Sequence, residues 1–363
     1  MGSRLRDWVL SVIRGRRGVL ASMTRAGLWT LQWPYRLAVA WRNRQFDRGV
    51  GVVGVGVPVI SVGNLTVGGT GKTPFVEYLA QFLRDSGLQV CILSRGYGSD
   101  GGRNDEAMVL EENLPDVPHL QAADRVTLAL TAREELAAEV LILDDGFQHR
   151  RLARTCDLVL LDATDPFGQE HCLPRGLLRE PIRNLRRAHM AIISRADQVS
   201  PDELQAIRTQ IQRIAPDLPI ATAVHQPLEL LGVAGQQQAC ELLAGRSVVA
   251  FCGIGNPEAF RHSLEQLGAT IRAFRSFPDH HAYSRDDVAD LERWVESQAD
   301  ADAWVLTTQK DFVKLQIESL ADRPVWALRI GMGLREGEER LQALLEQVAA
   351  SPSVPLPDEL DEE

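Results

Sequence analysis

The stretch Pro58-Val-Ile-Ser-Val-Gly-Asn-Leu-Thr-Val-Gly-Gly-Thr-Gly-Lys-Thr-Pro74 changes character three times in seventeen residues. Val59 to Val62 form a β-branched apolar run and read as a buried strand. Gly63 to Gly71 are too rich in glycine to extend it. From Thr73 a helical period sets in, with Val76, Leu79, Ala80 and Leu83 on one face. Pro74 sits in the first turn, where a missing N–H costs nothing, and Gly87 stands where a C-terminal cap belongs. Strand, glycine loop, Lys-Thr and helix in that order predict a phosphate-binding loop. The amides of Thr66, Val67, Gly68, Gly69, Thr70 and Gly71, with the helix N-terminus, are expected to cradle an anion. Lys72 would reach the β/γ-phosphates of a nucleotide such as ATP, and the Thr73 hydroxyl would face Mg²⁺. The loop is a variant, because Thr66 stands where the usual pattern has its first glycine.

Working outward, Val140-Leu-Ile-Leu-Asp-Asp145 is a second buried strand, and it ends in two carboxylates. That arrangement aims Asp144 and Asp145 at a phosphate-bound Mg²⁺, which needs few protein oxygens. Further apolar runs at 89–94, 157–162 and 190–194 alternate with helical patterns at 126–138 and 201–214. Such alternation predicts an α/β fold, a P-loop NTPase-like parallel sheet covered on both faces. Residues 225–245 are weakly patterned and suggest a boundary. A second, smaller α/β unit follows, with strands expected at 247–252, 270–274, 304–308 and 324–330. The divisions are therefore 1–48 for an N-terminal arm, 49–230 for the nucleotide domain, 231–350 for the second domain, and 351–363 for a Pro-rich acidic tail read as disordered.

At 363 residues, 45% hydrophobic and 24% charged, the chain has room for two domains. Its five cysteines show no metal or redox spacing and read as reduced core residues. No apolar run reaches the length of a membrane span, and arginines interrupt any signal-peptide core. The net charge of −10 is unevenly spread. Residues 1–48 carry ten arginines against two aspartates, a net of +8 that leaves −18 for the remainder. The same segment holds Trp8, Trp29, Trp33 and Trp41. A basic, Trp-rich amphipathic helical arm can lie in a membrane interface or pack on the protein's own core. No nucleic-acid-reading motif accompanies the arginines, and no obligate protein partner is indicated.

Phosphoryl transfer needs an oriented acceptor, charge compensation and often a base. Candidate bases are Asp105, Glu106, His149, His280 and His281; candidate cations are Arg95, Arg125, Arg175 and Arg179. Several stretches together resemble the tetraacyldisaccharide 4′-kinase family of lipid A biosynthesis. They are Val62 to Pro74, Leu93-Ser-Arg-Gly-Tyr-Gly98, Leu143-Asp-Asp-Gly-Phe-Gln-His149, Leu173-Pro-Arg-Gly-Leu-Leu-Arg-Glu-Pro181, Gly253-Ile-Gly-Asn-Pro257, Phe277-Pro-Asp-His-His281 and Thr307-Thr-Gln-Lys-Asp311.

The resemblance implies transfer of the ATP γ-phosphate to the 4′-hydroxyl of a lipid A disaccharide 1-phosphate precursor. It places the work at the cytoplasmic face of the inner membrane, with the arm seated on that membrane surface. Asp105 then resembles the base and His280 or His281 its partner, while Tyr97 and Arg125 resemble nucleotide contacts. Glu180 joins Thr73, Asp144 and Asp145 around the metal, and Asn64, Gln148, His149 and Arg179 fall on the substrate side. Asn104, Ala107, Arg175 and Gln309 depart from the family pattern. A P-loop switch ATPase or GTPase of the partitioning or metal-insertion kind is the alternative, and a non-catalytic scaffold is a third reading.

Overall fold

The computed structural model describes residues 2–96, 105–300, 302–315 and 317–350. The acidic tail and Tyr97 lie outside them. Among the described residues thirteen strands form one sheet: β1 Val59–Asn64, β2 Val90–Ser94, β3 His119–Gln121, β4 Val140–Asp144, β5 Cys156–Asp162, β6 Met190–Ser194, β7 Ile220–Leu231, β8 Gln237–Gln238, β9 Ser247–Cys252, β10 Thr270–Ser276, β11 Trp304–Thr308, β12 Ser319–Leu320 and β13 Arg323–Glu336. The helices are α1 Gly2–Ile13, α2 Val19–Asp47, α3 Lys72–Asp85, α4 Asp105–Asn113, α5 Arg125–Glu135, α6 Pro201–Ile214, α7 Pro257–Gln266, α8 Arg285–Gln298, α9 Gln309–Leu315 and α10 Glu338–Ala349.

The sheet runs β10-β9-β11-β13-β7-β6-β5-β1-β4-β2-β3. Strands β7 through β3 are parallel to their neighbours, as are β10 through β13. The long β7 and β13 pair antiparallel between the two sets, with register breaks at Arg329/Ile330 and Leu334/Glu336. The sequence expectation of a strand at 324–330 underestimated β13, and β7 runs on into the stretch read as weakly patterned. The middle of β7, His225 to Glu229, is half-exposed and polar, so it lacks the buried-strand signature.

The boundary near residue 230 is crossed twice. Leu341, Leu345 and Val348 of α10 bury themselves with Met332 against Ile60, Phe75 and Leu79 of the phosphate-loop half. The expectation that residues 231–350 form one unit is corrected in that respect: the apolar face of α10 is covered by the first half.

Behind the sheet a buried polar network ties the halves together. Glu77 of α3 is 4% exposed. It accepts from Arg329 of β13 at 2.8 Å and from Asn113 of α4 at 2.9 Å, while Arg329 also reaches Glu229 of β7 at 2.7 Å. Gln309 of α9 closes it, donating at 2.7 Å to both Glu112 and Asn113. Removing one partner of a buried pair strands the other charge, so Arg329→Met should cost about 3–5 kcal/mol. The Glu77→Gln/Arg329→Met double should recover most of it in denaturant melts.

All five cysteines are buried and free. Among the described residues no helix is long and apolar enough to cross a membrane. Helix α2 has two faces. Ala21, Gln32, Val39 and Asn43 are buried. Leu20, Met23, Trp29, Leu31, Trp33, Leu37 and Trp41 stand exposed. The arm therefore packs on its own protein along one stripe and leaves an apolar row uncovered along the other.

Candidate functional site

Two adjacent parallel strands bring the phosphate loop and the paired aspartates together. The register sets Val62 of β1 against Asp144 of β4, so both chains leave the sheet at the same edge. Asn64 ends β1 fully buried, and its amide donates to the Thr66 carbonyl at 2.8 Å. The loop is braced from outside. The Val67 N–H donates to the Leu177 carbonyl at 2.8 Å, and Ser194 Oγ donates to the Thr70 carbonyl at 2.8 Å. Thr66 also bridges to Leu178. Val67 thus spends its amide on the neighbouring loop, which corrects its place among the phosphate donors. Gly68 and Gly69 are exposed, and a Cβ on either would meet nothing. Gly71 differs. It takes φ 82° as the N-cap of α3, and a Cβ there would stand 2.6 Å from His225 Nε2. Only glycine brings the loop back onto the helix at that point.

Lys72 opens α3, and its Nζ lies 3.4 Å from Asp145 Oδ1 and 3.4 Å from Asn64 Oδ1. Arg179 Nη1 grips Asp145 through both oxygens, at 2.9 and 2.7 Å, and reaches Gln148 Oε1 at 3.3 Å. Gln148 in turn donates to the Asn64 carbonyl at 2.9 Å. The Asp145 carboxyl is held low: burial opposes ionisation, but the Lys72 and Arg179 charges outweigh it. Asp144 behaves oppositely. Burial, with the Asp145 and Glu106 charges, pushes it up to about 6 against the pull of Lys72. Its Oδ1 is buried with no partner. A buried acceptor left orphaned beside a phosphate loop is what a hard cation would satisfy. With the Thr73 hydroxyl and Asp145 it makes an all-oxygen set that fits Mg²⁺.

Glu180 does not join that set. It is fully buried and already engaged by Asn43 at 2.8 Å, Asn184 at 2.5 Å and Arg187 at 2.8 Å. The metal role expected from the sequence is corrected: Glu180 is a strut under the loop, and its neighbour Arg179 is the residue turned to the site. Arg125 is buried beside His149, with Nη1 3.2 Å from Nδ1. Burial and then the nearby Arg95 lower the Arg125 pKa, while Asp145 and Asp144 act against them. Burial, then the Arg125 and Arg154 charges, bring His149 down to about 4, so it is neutral.

The second cluster crosses between halves. Asp105 begins α4 at 8% exposure. His280 Nδ1, from the loop after β10, lies 2.9 Å from both of its carboxylate oxygens. His281 points elsewhere, stacked on Phe277 at 4.8 Å and 3.3 Å from Asp287. Of the two histidines, His280, with a φ of 58°, is the one in contact with Asp105. Around the pair stand Lys310, 2.8 Å from Glu106, and Lys314, 3.7 Å from Asp105 and 3.2 Å from Asp311. Burial works against an ionised Asp105, but the His280 hydrogen bond, the Glu106 contact and the Lys310 charge hold it well below the usual carboxylate range. His280 is raised, chiefly by the same hydrogen bond. The two lysines were missed as site residues. Lys310 sat in a quoted motif, but nothing local to residues 307–314 shows that they face Asp105 about two hundred positions earlier.

A model of the family described as tetraacyldisaccharide-1-P 4′-kinase matches residues 24–350. A tetraacyldisaccharide 4′-kinase of Anaeromyxobacter sp. (strain K) is 40% identical over 95% of this chain and 96% of its own length. One from Syntrophus aciditrophicus is 40% identical over 86% of this chain and 90% of its own. Among solved structures, LpxK from Aquifex aeolicus in complex with ATP superposes with a TM-score of 0.70 at 32% identity, covering 90% of this chain and 99% of that one.

Proposed function

Because the chain belongs to the tetraacyldisaccharide-1-phosphate 4′-kinase family, we propose that its two clusters divide one phosphoryl transfer between them. The protein is an ATP-dependent kinase of lipid A biosynthesis that phosphorylates the 4′-position of a tetraacyldisaccharide 1-phosphate. The observation that carries the division of labour is the Asp105–His280 pair, built from opposite halves, whose neighbour Glu106 lies near enough to Asp144 for its charge to act on that carboxyl.

In this reading the loop from Gly68 to Gly71 and the first turn of α3 bind the ATP phosphates. Lys72 neutralises the β/γ-oxygens, and Arg179 compensates charge on the moving phosphoryl group. Asp144, Asp145 and the Thr73 hydroxyl would hold Mg²⁺, which when bound neutralises phosphate charge. Asp105 accepts the 4′-hydroxyl proton. His280, hydrogen-bonded to both of its oxygens, holds the carboxyl ionised and oriented to receive that proton. Arg125, His149, Gln148 and Asn64 line the floor where nucleotide and sugar meet. Residues 49–230 with α10 form the nucleotide half, and the remainder delivers His280. A switch NTPase would have no use for that pair.

The exposed row of Trp29, Trp33, Trp41, Leu20, Leu31 and Leu37, with the arm's net +8, supports a seat on an anionic membrane surface, the inner membrane's cytoplasmic face. The test of the metal reading is formation of bis-phosphorylated lipid at graded Mg²⁺ and pH. Asp144 must give up its proton to bind the ion. The apparent Mg²⁺ constant should therefore weaken about tenfold for each unit below pH 6 and be flat above pH 7. A Mg²⁺ requirement that ignores pH between 5 and 7 would remove Asp144 from the set.

A further inference from the structure

The arm touches two consecutive residues of the loop at the site, Arg179 and Glu180. Tyr35 of α2 donates its hydroxyl to the Arg179 carbonyl at 2.7 Å, and Asn43 donates its amide to Glu180 Oε2 at 2.8 Å. Asn43 is itself fixed, for Arg150 donates to its carbonyl at 3.0 Å and pairs with Asp47 at 2.8 Å. From the other side, the Arg179 N–H donates to the Leu65 carbonyl at 2.7 Å, at the root of the phosphate loop. Arg179 is thus held by its N–H on the nucleotide side and its carbonyl on the arm side. From that held backbone its guanidinium reaches Asp145, with Gln148 at 3.3 Å. Asn43 and Glu180 are 7% and 0% exposed, so water does not compete for that bond.

We propose that Tyr35 and Asn43 are positioning residues: the lipid-facing arm sets the Arg179 guanidinium, and so belongs to the catalytic apparatus as well as tethering it. This rests on the kinase reading of Arg179 given above. The same helix carries the exposed Trp29, Trp33 and Trp41. A rotation or withdrawal of α2 at a lipid surface would therefore be felt first at Arg179 and Asp145.

The test is the Tyr35→Phe/Asn43→Ala double variant of the full chain. Glu180 keeps Arg187 and Asn184, so the fold should hold. A roughly ten- to hundredfold loss of kcat is expected, from a misplaced charge in the transition state. KM for ATP and co-sedimentation with phosphatidylglycerol vesicles should stay near wild type. On an Arg179→Ala background the same two changes should do nothing further. An equal loss on that background, an unchanged kcat, or a loss that tracks vesicle release would overturn the proposal. If the wild type fails to phosphorylate the lipid, the kinase reading is what has failed. Amide exchange at Arg179 then tests the arm's hold without substrate: the double variant should speed it, and equal rates would refute the link.

Discussion

Asp105→Asn is expected to lower kcat by about 10²–10⁴-fold while ATP binds as before, because only the proton acceptor is lost. Asparagine keeps the size and a hydrogen-bonding oxygen for His280, so the change isolates the charge. His280→Ala should act differently. Burial favours the neutral carboxyl, and the His280 hydrogen bond is the largest influence opposing it. Without the histidine the Asp105 pKa rises. The acid limb of kcat against pH should therefore move to higher pH, and activity should be lost first under mildly acidic conditions. Lys310 still faces Glu106, so the variant should fold and bind nucleotide. A pH profile of His280→Ala parallel to wild type would mean that His280 does not tune the carboxylate.

Lys72→Ala should cost about 10³-fold or more in kcat, together with weaker ATP binding, since it removes the charge nearest the β/γ-phosphates. Lys72 also touches both Asp145 and Asn64, and its charge lowers Asp144 and Asp145. Its loss would raise both carboxyl pKa values and weaken metal binding with the nucleotide. Lys72→Arg should not rescue, because the larger fork has to fit beside Arg179 against one carboxylate. Stability should change little, as the buried core of α3 is formed by Phe75, Val76, Leu79 and Leu83.

Much of this site was legible where chemistry and local pattern coincide. A strand, a glycine loop and an amphipathic helix occupy adjacent positions, and Asp144-Asp145 terminate an apolar run, so both halves of the phosphate site could be read along the chain. Helix α4 was not. Its nine residues bury only Asp105, Ala107, Val109 and Leu110, too short a stripe to show a period, and its acidic start reads as a loop until it is placed on a helix N-terminus. Which of His280 and His281 touches Asp105 depends on how the loop after β10 folds, and two adjacent histidines look alike along the chain. Glu180 was set beside the metal by family resemblance alone, and nothing local to it shows how its carboxylate is occupied. Asn184 and Arg187, four and seven residues on, and the distant Asn43 of the arm already engage it. The length of β7 was hidden because its half-exposed centre, His225 to Glu229, is mostly polar.

The most direct measurement of the central claim is the fate of label from γ-labelled ATP, offered with tetraacyldisaccharide 1-phosphate in mixed micelles and Mg²⁺. The account predicts label in the lipid at the 4′-position, lost with EDTA, in Lys72→Ala and, at undiminished ATP binding, in Asp105→Asn. Label released as free phosphate at the same rate with or without the lipid would contradict it.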